Sequence, residues 1–378
     1  MKPMFVPILV LLSCVLFVRY LEESRRFEQL TRWVPAILFA YLVPALFNNY
    51  WLHLEPNDPI YSWNSELLIP FTVLCAMASV SLEEIKIVGR KPLIYFLGSS
   101  AIIALLPLLL VGILSVVSQR FHDFLIIENG YTSALPVIGS WIGGSSSMLV
   151  MKELAQTPED LFLSVLILDN LLVNIWTLFL FQWIKKTPKI NSYFNRKPIE
   201  HVQNPSIRGE NKKPVYTLII VALCFGLGLF FKLDFLKTII VFSLVGVALG
   251  QWIEFWDHKL LQKISKILIV SVMSLLGLKL SLDNLSWNPM LLSFLVLWLI
   301  LQFALSFWLA YRMKISLVWV PLASMANLGG VSTAPAVASA YDKRLMPHAI
   351  VLAIVSMLTG TFWGLLALQL FKGLIPHL

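Results

Sequence analysis

From Pro92 to Ser118 the chain carries no charged residue. About 20 consecutive apolar residues suffice to cross the hydrocarbon core of a bilayer as a helix. Comparable apolar runs recur at 4–20, 33–52, 66–82, 133–155, 160–184, 215–231, 235–252, 264–282, 289–311, 319–341 and 347–371. A lipid-embedded backbone must satisfy its own hydrogen bonds, and runs this long do so as helices. The expected fold class is therefore an all-α polytopic membrane protein. Hydrophobic residues make up 58% and charged residues 13% of the 378, against roughly a quarter charged in soluble domains. No stretch remains for a sizeable soluble domain.

The same inventory narrows the function. The net charge of +8 sits in short loops between apolar runs, which is a membrane-orientation signal rather than a nucleic-acid footprint. Cys14, Cys75 and Cys224 stand singly inside apolar runs and read as small buried hydrophobes. The six histidines show no metal-ligand spacing. No Walker-type motif occurs. No metal or cofactor is expected. The first run lacks a small-residue cleavage site and leads straight into "LEESRRFEQLTR", so it is read as a first span.

The basic stretch 185–214 divides six runs from six, giving an N-terminal repeat (1–184), a cytoplasmic linker and a C-terminal repeat (215–378). "SVSLEEI" (79–85) follows the third run and "KLSLDNL" (279–285) follows the ninth. The pair Gly143-Gly144 falls mid-way along the fifth run, in "SWIGGSSSMLVM". Gly329-Gly330 falls mid-way along the eleventh, in "MANLGGVSTAPA". Matched positions in two halves are the mark of an internal repeat, a common plan in transporters.

Charge then decides the topology. Twelve crossings would place either the loop 19–32 or the linker outside, against the positive-inside rule. If 133–155 and 319–341 instead enter and leave on one side, an external N-terminus puts most of the chain's 29 Lys and Arg in the cytoplasm. The external loop 51–65 then carries none. Each half has five crossings plus one re-entrant hairpin or broken helix. The second half is consequently inverted, and the two hairpin tips approach each other near the midplane.

Such a tip is tolerated only in protein or beside a wet cavity. Glycine there permits positive φ and close approach of a ligand, and half-helix N-termini attract anionic or electron-rich groups. Ser140, Gly143, Gly144, Ser145, Ser146 and Ser147 in the first tip, with Asn327, Gly329, Gly330, Ser332 and Thr333 in the second, are the candidate solute-binding residues. Gly246 and Gly250 read instead as packing glycines. Asp169 stands mid-run beside Asn170 and Asn174. An intramembrane carboxylate is costly and marks a functional position, so these three are the candidate ion-coupling residues. The alternative is a protonated helix–helix contact. The matching run of the other half offers Ser356, Thr359 and Thr361 and no acid.

Lys152, Glu153, Asp342, Lys343 and Arg344 read as solvated loop ends. Gln302 and Ser306, four apart on one helical face, fit packing or a pathway equally. Trp33, Trp51, Trp183 and Trp252 lie at run ends, where aromatic belts form. Trp141 and Trp176 are the exceptions.

"SWIGGSSSMLVMKEL", a run containing "LDN" and "ASMANLGGVSTAPAVASA" together resemble the membrane family known as domain of unknown function 819 (YjcL-like). The resemblance covers essentially the whole chain. It implies kinship with cation:proton antiporters and with bile acid, 2-hydroxycarboxylate and glutamate symporters. It also implies an elevator-like core sliding against a scaffold, with homodimerisation through scaffold helices. Where the last two symporter groups carry a third glycine, this chain has Ser146 and Ser332. The function expected is a secondary transporter in the bacterial cytoplasmic membrane, moving an anion or an amino-acid-like or peptide-like solute with Na⁺ or H⁺. A cation:proton antiporter is the nearer alternative, and an intramembrane enzyme the alternative from another class. An intramembrane aspartyl protease would need a second mid-span acid.

Overall fold

The computed structural model describes residues 5–24, 36–54, 58–79, 88–196, 212–231, 233–280 and 288–375. Among these, most residues are helical and no strand occurs. The α-helices are α1 (Phe5–Glu23), α2 (Ala36–Phe47), α3 (Ile69–Ala78), α4 (Arg90–Val117), α5 (Gln119–His122), α6 (Ala134–Ile138), α7 (Ser145–Ala155) and α8 (Glu159–Tyr193). They continue with α9 (Pro214–Phe230), α10 (Phe235–Trp252), α11 (His258–Lys279), α12 (Pro289–Arg312), α13 (Trp319–Leu328), α14 (Gly330–Ser339) and α15 (Met346–Leu374). Six of them, α4, α8, α10, α11, α12 and α15, are long and apolar enough to cross a membrane, which makes this a membrane protein. Helix α8 runs beyond residue 184 to Tyr193, so the first part of the basic stretch is helical. The motifs at 80–85 and 281–285, and the core of the linker at 197–211, lie outside the described residues.

Helix starts follow side-chain chemistry. Asp234 accepts from the Lys237 N–H at 2.9 Å, Asp257 from Leu260 at 3.0 Å and Asn288 from Met290 at 2.9 Å. Each satisfies a first-turn donor that a helix cannot satisfy itself.

The chain forms two compact units. The first comprises residues 1–81, 158–170 and 210–287. Within it, the Trp256 indole donates to the Ala78 carbonyl at the end of α3, at 2.7 Å. Asn48 and Tyr61 donate to the Leu278 carbonyl (2.6 and 3.0 Å) and Asn49 to that of Leu280 (2.8 Å). These carbonyls close α11, where intrahelical partners run out. A Cβ on Gly246 would stand 2.9 Å from the Leu74 carbonyl. Its reading as a packing glycine therefore agrees with the structure.

The second unit comprises residues 82–157, 171–209 and 288–378. There the later part of α8 lies on α12 and α13. Trp176, Phe179 and Trp183 present edges or faces to Phe303, with centroids 5.2–5.5 Å away. Asn191 binds the Ser316 hydroxyl at 3.0 Å and accepts from the Leu317 N–H at 2.8 Å.

Prolines organise both units. A proline inside a helix deprives the carbonyl four residues earlier of its N–H. In lipid that carbonyl must find another donor. Pro44 frees Ala40, which accepts from the Cys14 thiol at 3.7 Å. Pro107 frees Ile103, which accepts from the Trp298 indole at 3.2 Å. Pro188 frees Ile184, which accepts from the Thr187 hydroxyl at 2.6 Å.

Candidate functional site

The fifth run is not one helix. A 3₁₀ turn (Gly130–Ser133), α6, a π-helical turn (Gly139–Gly143) and α7 succeed one another. The bend is at Gly144, with φ +74° and ψ −168°, backbone that only glycine adopts at low cost. Pro136 frees the Thr132 carbonyl in the same way as the prolines above. The hydroxyl of Thr157 donates to that carbonyl at 3.1 Å. The segment therefore returns beside its own beginning, as a hairpin. A Cβ on Gly139 would lie 2.6 Å from the Ser147 carbonyl, so the two arms touch along their length. Ser145, Ser146 and Ser147 form the first turn of α7, where backbone N–H groups have no intrahelical acceptor.

The eleventh run breaks at the second glycine pair. Helix α13 ends at Leu328 and α14 begins at Gly330, whose φ is +65°. Asn327, one turn before the break, is 2% exposed. Thr333 reaches back to Gly329, where a Cβ would collide with its hydroxyl. Among the described residues the Thr333 hydroxyl has no hydrogen-bond partner.

Helix α15 joins the two breaks. Its Ser356 hydroxyl donates to the Ile142 carbonyl, in the π-turn of the first break. The same hydroxyl lies 2.7 Å from the Asn327 amide oxygen at the second. One turn on, Gly360 meets Gly143 so closely that a Cβ on Gly360 would collide with the Gly143 Cα. Thr361 and Ser147 share a hydrogen bond of 3.0 Å. Helix α4 adds Ser100, 3.1 Å from the Asn327 amide, and Ser99, 3.0 Å from Ser306 of α12. Within the π-turn of the first break, Trp141 packs on Trp298 of α12, with 4.5 Å between ring centroids. The result is a buried polar centre of hydroxyls, amides and helix ends, bounded by apolar helices.

A family model described as "Protein of unknown function (DUF819)" matches residues 8–374. The chain belongs to the DUF819 family. The match takes in both helix breaks and the helices that join them. No curated protein matches the chain.

In this DUF819 chain the predicted tip residues do not all stand alike. Gly143, Ser146, Ser147 and Asn327 are buried, while Ser140, Gly144, Ser145, Gly329, Gly330 and Thr333 are partly exposed. Gly330 and Ser332 lie in the first turn of α14. The three candidate ion-coupling residues separate. Asp169 is buried, 6% exposed, on the part of α8 that belongs to the first unit. Asn170 donates its amide to its own helix, to the Leu166 carbonyl at 2.7 Å. Asn174 is exposed, so the three do not form one set of buried oxygens. Lys152, read as a solvated loop end, is instead buried, with Glu153 at 3.9 Å. Sequence reasoning missed Ser99, Ser100 and Gly360. The tripeptide Gly98-Ser99-Ser100, small and polar inside an uncharged run, was the signal for the first two.

Proposed function

We propose that this protein is a secondary active transporter for a small organic solute, coupled to Na⁺ or H⁺. The observation that carries the reading is the Ser356 hydroxyl, which bonds the turn before one glycine pair and the amide before the other. Two broken helices meeting in one polar centre are the arrangement by which membrane transporters hold solutes, using half-helix N-termini and unwound backbone. The first-turn N–H groups of α7 and α14 suit an electron-rich group of the solute. Family membership supports a membrane role and leaves solute and ion open.

On this reading the two breaks belong to inverted repeats, and they lie in the core of an elevator-like transporter. The protein then works as a homodimer in the bacterial cytoplasmic membrane. Asp169, a buried acid on an apolar helix, is the residue assigned to ion coupling, because an ionisable group at such a place is costly and marks function. The test is uptake by proteoliposomes from a panel of labelled solutes under an imposed Na⁺ gradient, an imposed H⁺ gradient, or neither. Gradient-driven accumulation of at least one solute is the expected result. Absence of any gradient-dependent flux across anions, amino acids and peptides would overturn the reading.

A further inference from the structure

The hydrogens around Asn327 can be counted. Ser356 has one hydroxyl hydrogen and gives it to the Ile142 carbonyl, which cannot donate in return. Its contact with Asn327 at 2.7 Å must then be donated by the amide. Ser100 is in the same position, with the Phe96 carbonyl at 3.1 Å on one side and the Asn327 amide at 3.1 Å on the other. Turning the amide over satisfies both hydroxyls, because Nδ2 carries two hydrogens and faces two acceptors. Amide orientation is assigned from such networks rather than seen directly. The opposite end, which has no partner among the described residues, is then Oδ1, a buried acceptor.

A second amide nearby is open at both ends. Gln302 on α12 is 0% exposed, and neither Nε2 nor Oε1 has a partner among the described residues. Its place is fixed by the residues four before and four after it. Trp298 bonds the Ile103 carbonyl of α4, and Ser306 bonds Ser99 of α4. Gln302 therefore faces α4 at the turn that also presents Ser100 to Asn327, within about one helical turn, or 5.4 Å of rise. Native proteins seldom leave both ends of a buried amide unmet, and each such group calls for a water or a ligand.

We propose that Gln302 and Asn327 are the solute-recognising pair, and that they bind an uncharged primary amide or urea-like group. The open atoms are one NH₂ group and two carbonyl oxygens. A primary amide is their complement: its carbonyl accepts from Gln302 Nε2, and its two N–H groups donate to Gln302 Oε1 and Asn327 Oδ1. None of the contacts that build this corner involves a charged side chain. A formally charged headgroup would lose its hydration without a counter-charge there. This inference rests on the reading of the polar centre as the solute site.

The experiment is thermal unfolding of the purified full-length protein with glutamine, asparagine, glutamine-containing dipeptides, urea at low concentration, glutamate and succinate. Expected are stabilisation by the amide probes and none by succinate. Gln302→Met, which keeps the volume and removes both polar ends, should weaken the amide effect roughly 5- to 100-fold in apparent Kd. Its unliganded Tm should hold or rise, because an unmet buried amide is gone. Amide protection left unchanged in Gln302→Met overturns the proposal. So does a wild type that no amide shifts, which would leave Gln302 to buried waters. If succinate or glutamate protects independently of Gln302, the solute site survives and the amide class falls. If amides bind through Gln302 but no solute crosses proteoliposomes, the recognition pair stands and the transporter reading falls.

Discussion

Gly144→Ala isolates the backbone contribution of the first break. A Cβ at this position would find nothing within 4 Å, so the substitution adds no clash and removes no contact. What it adds is a side chain at φ +74° and ψ −168°, where an L-residue is strained by about 1–3 kcal/mol. Gly112→Ala is the matched control. Gly112 lies inside α4, its Cβ would also meet nothing within 4 Å, and its φ is not positive. Alanine there should stabilise, by up to about 1 kcal/mol. The two variants thus share chemistry and open space and should differ in sign. If the strain is relieved locally, by straightening the π-turn into α7, the bent form loses roughly 5- to 150-fold in population at 1.4 kcal/mol per decade. The amides of residues 145–147 would then gain intrahelical acceptors, and their hydrogen exchange would slow. If the bend holds, the strain comes off global stability and Tm falls by about 1–4 °C. Thermal unfolding with amide exchange on both variants covers both outcomes. A Gly144→Ala protein with wild-type Tm and wild-type exchange at residues 145–148 would refute the assignment of the break to glycine conformation.

Ser356→Ala should leave the Ile142 carbonyl and one Asn327 N–H without partners, a loss of about 1–3 kcal/mol for each buried group. Thr359→Val should stay near wild type, because among the described residues the Thr359 hydroxyl bonds its own helix alone, at Val355 and Ser356; thermal unfolding of the pair checks this. Asp169→Asn keeps shape and removes a buried ionisable group, so insertion should be unharmed while solute accumulation against a gradient is lost. Accumulation at the wild-type level, measured in proteoliposomes, removes Asp169 from coupling. Single cysteines in 119–132 and 153–159 should react with an impermeant thiol reagent from the same side, because Thr157 closes on Thr132; reaction from opposite sides would contradict a re-entrant hairpin.

Much of the architecture was legible in the linear sequence because the physics behind it is local. Apolar run length read against bilayer thickness gave the long helices, from α4 to α15, apart from their ends. The glycine pairs marked both breaks because left-handed backbone is forbidden to most other residues, and Gly144 and Gly330 do adopt it. Asp169 was expected to be deep and is buried. Helix faces were less legible. In lipid an apolar face is equally suited to acyl chains or to another helix, so the sequence could not tell that Asn174 is exposed.

What only the tertiary structure decided is which distant residue answers each local demand. The sequence says that Pro107 frees a carbonyl at Ile103 and Pro136 one at Thr132. It does not say that Trp298 and Thr157 supply the donors. The same holds for Ser356, whose two partners lie 214 and 29 residues away, and for Ser100, 227 residues from Asn327. Hydroxyls on apolar helices can always bond their own backbone, as Thr359 does, so composition leaves their role undetermined. The close approach of Gly143 and Gly360 at the first break and the Ser356–Asn327 contact at the second, both between segments far apart in the chain or in separate helices, bring α15 to both breaks and turn two strained glycine bends into one polar centre.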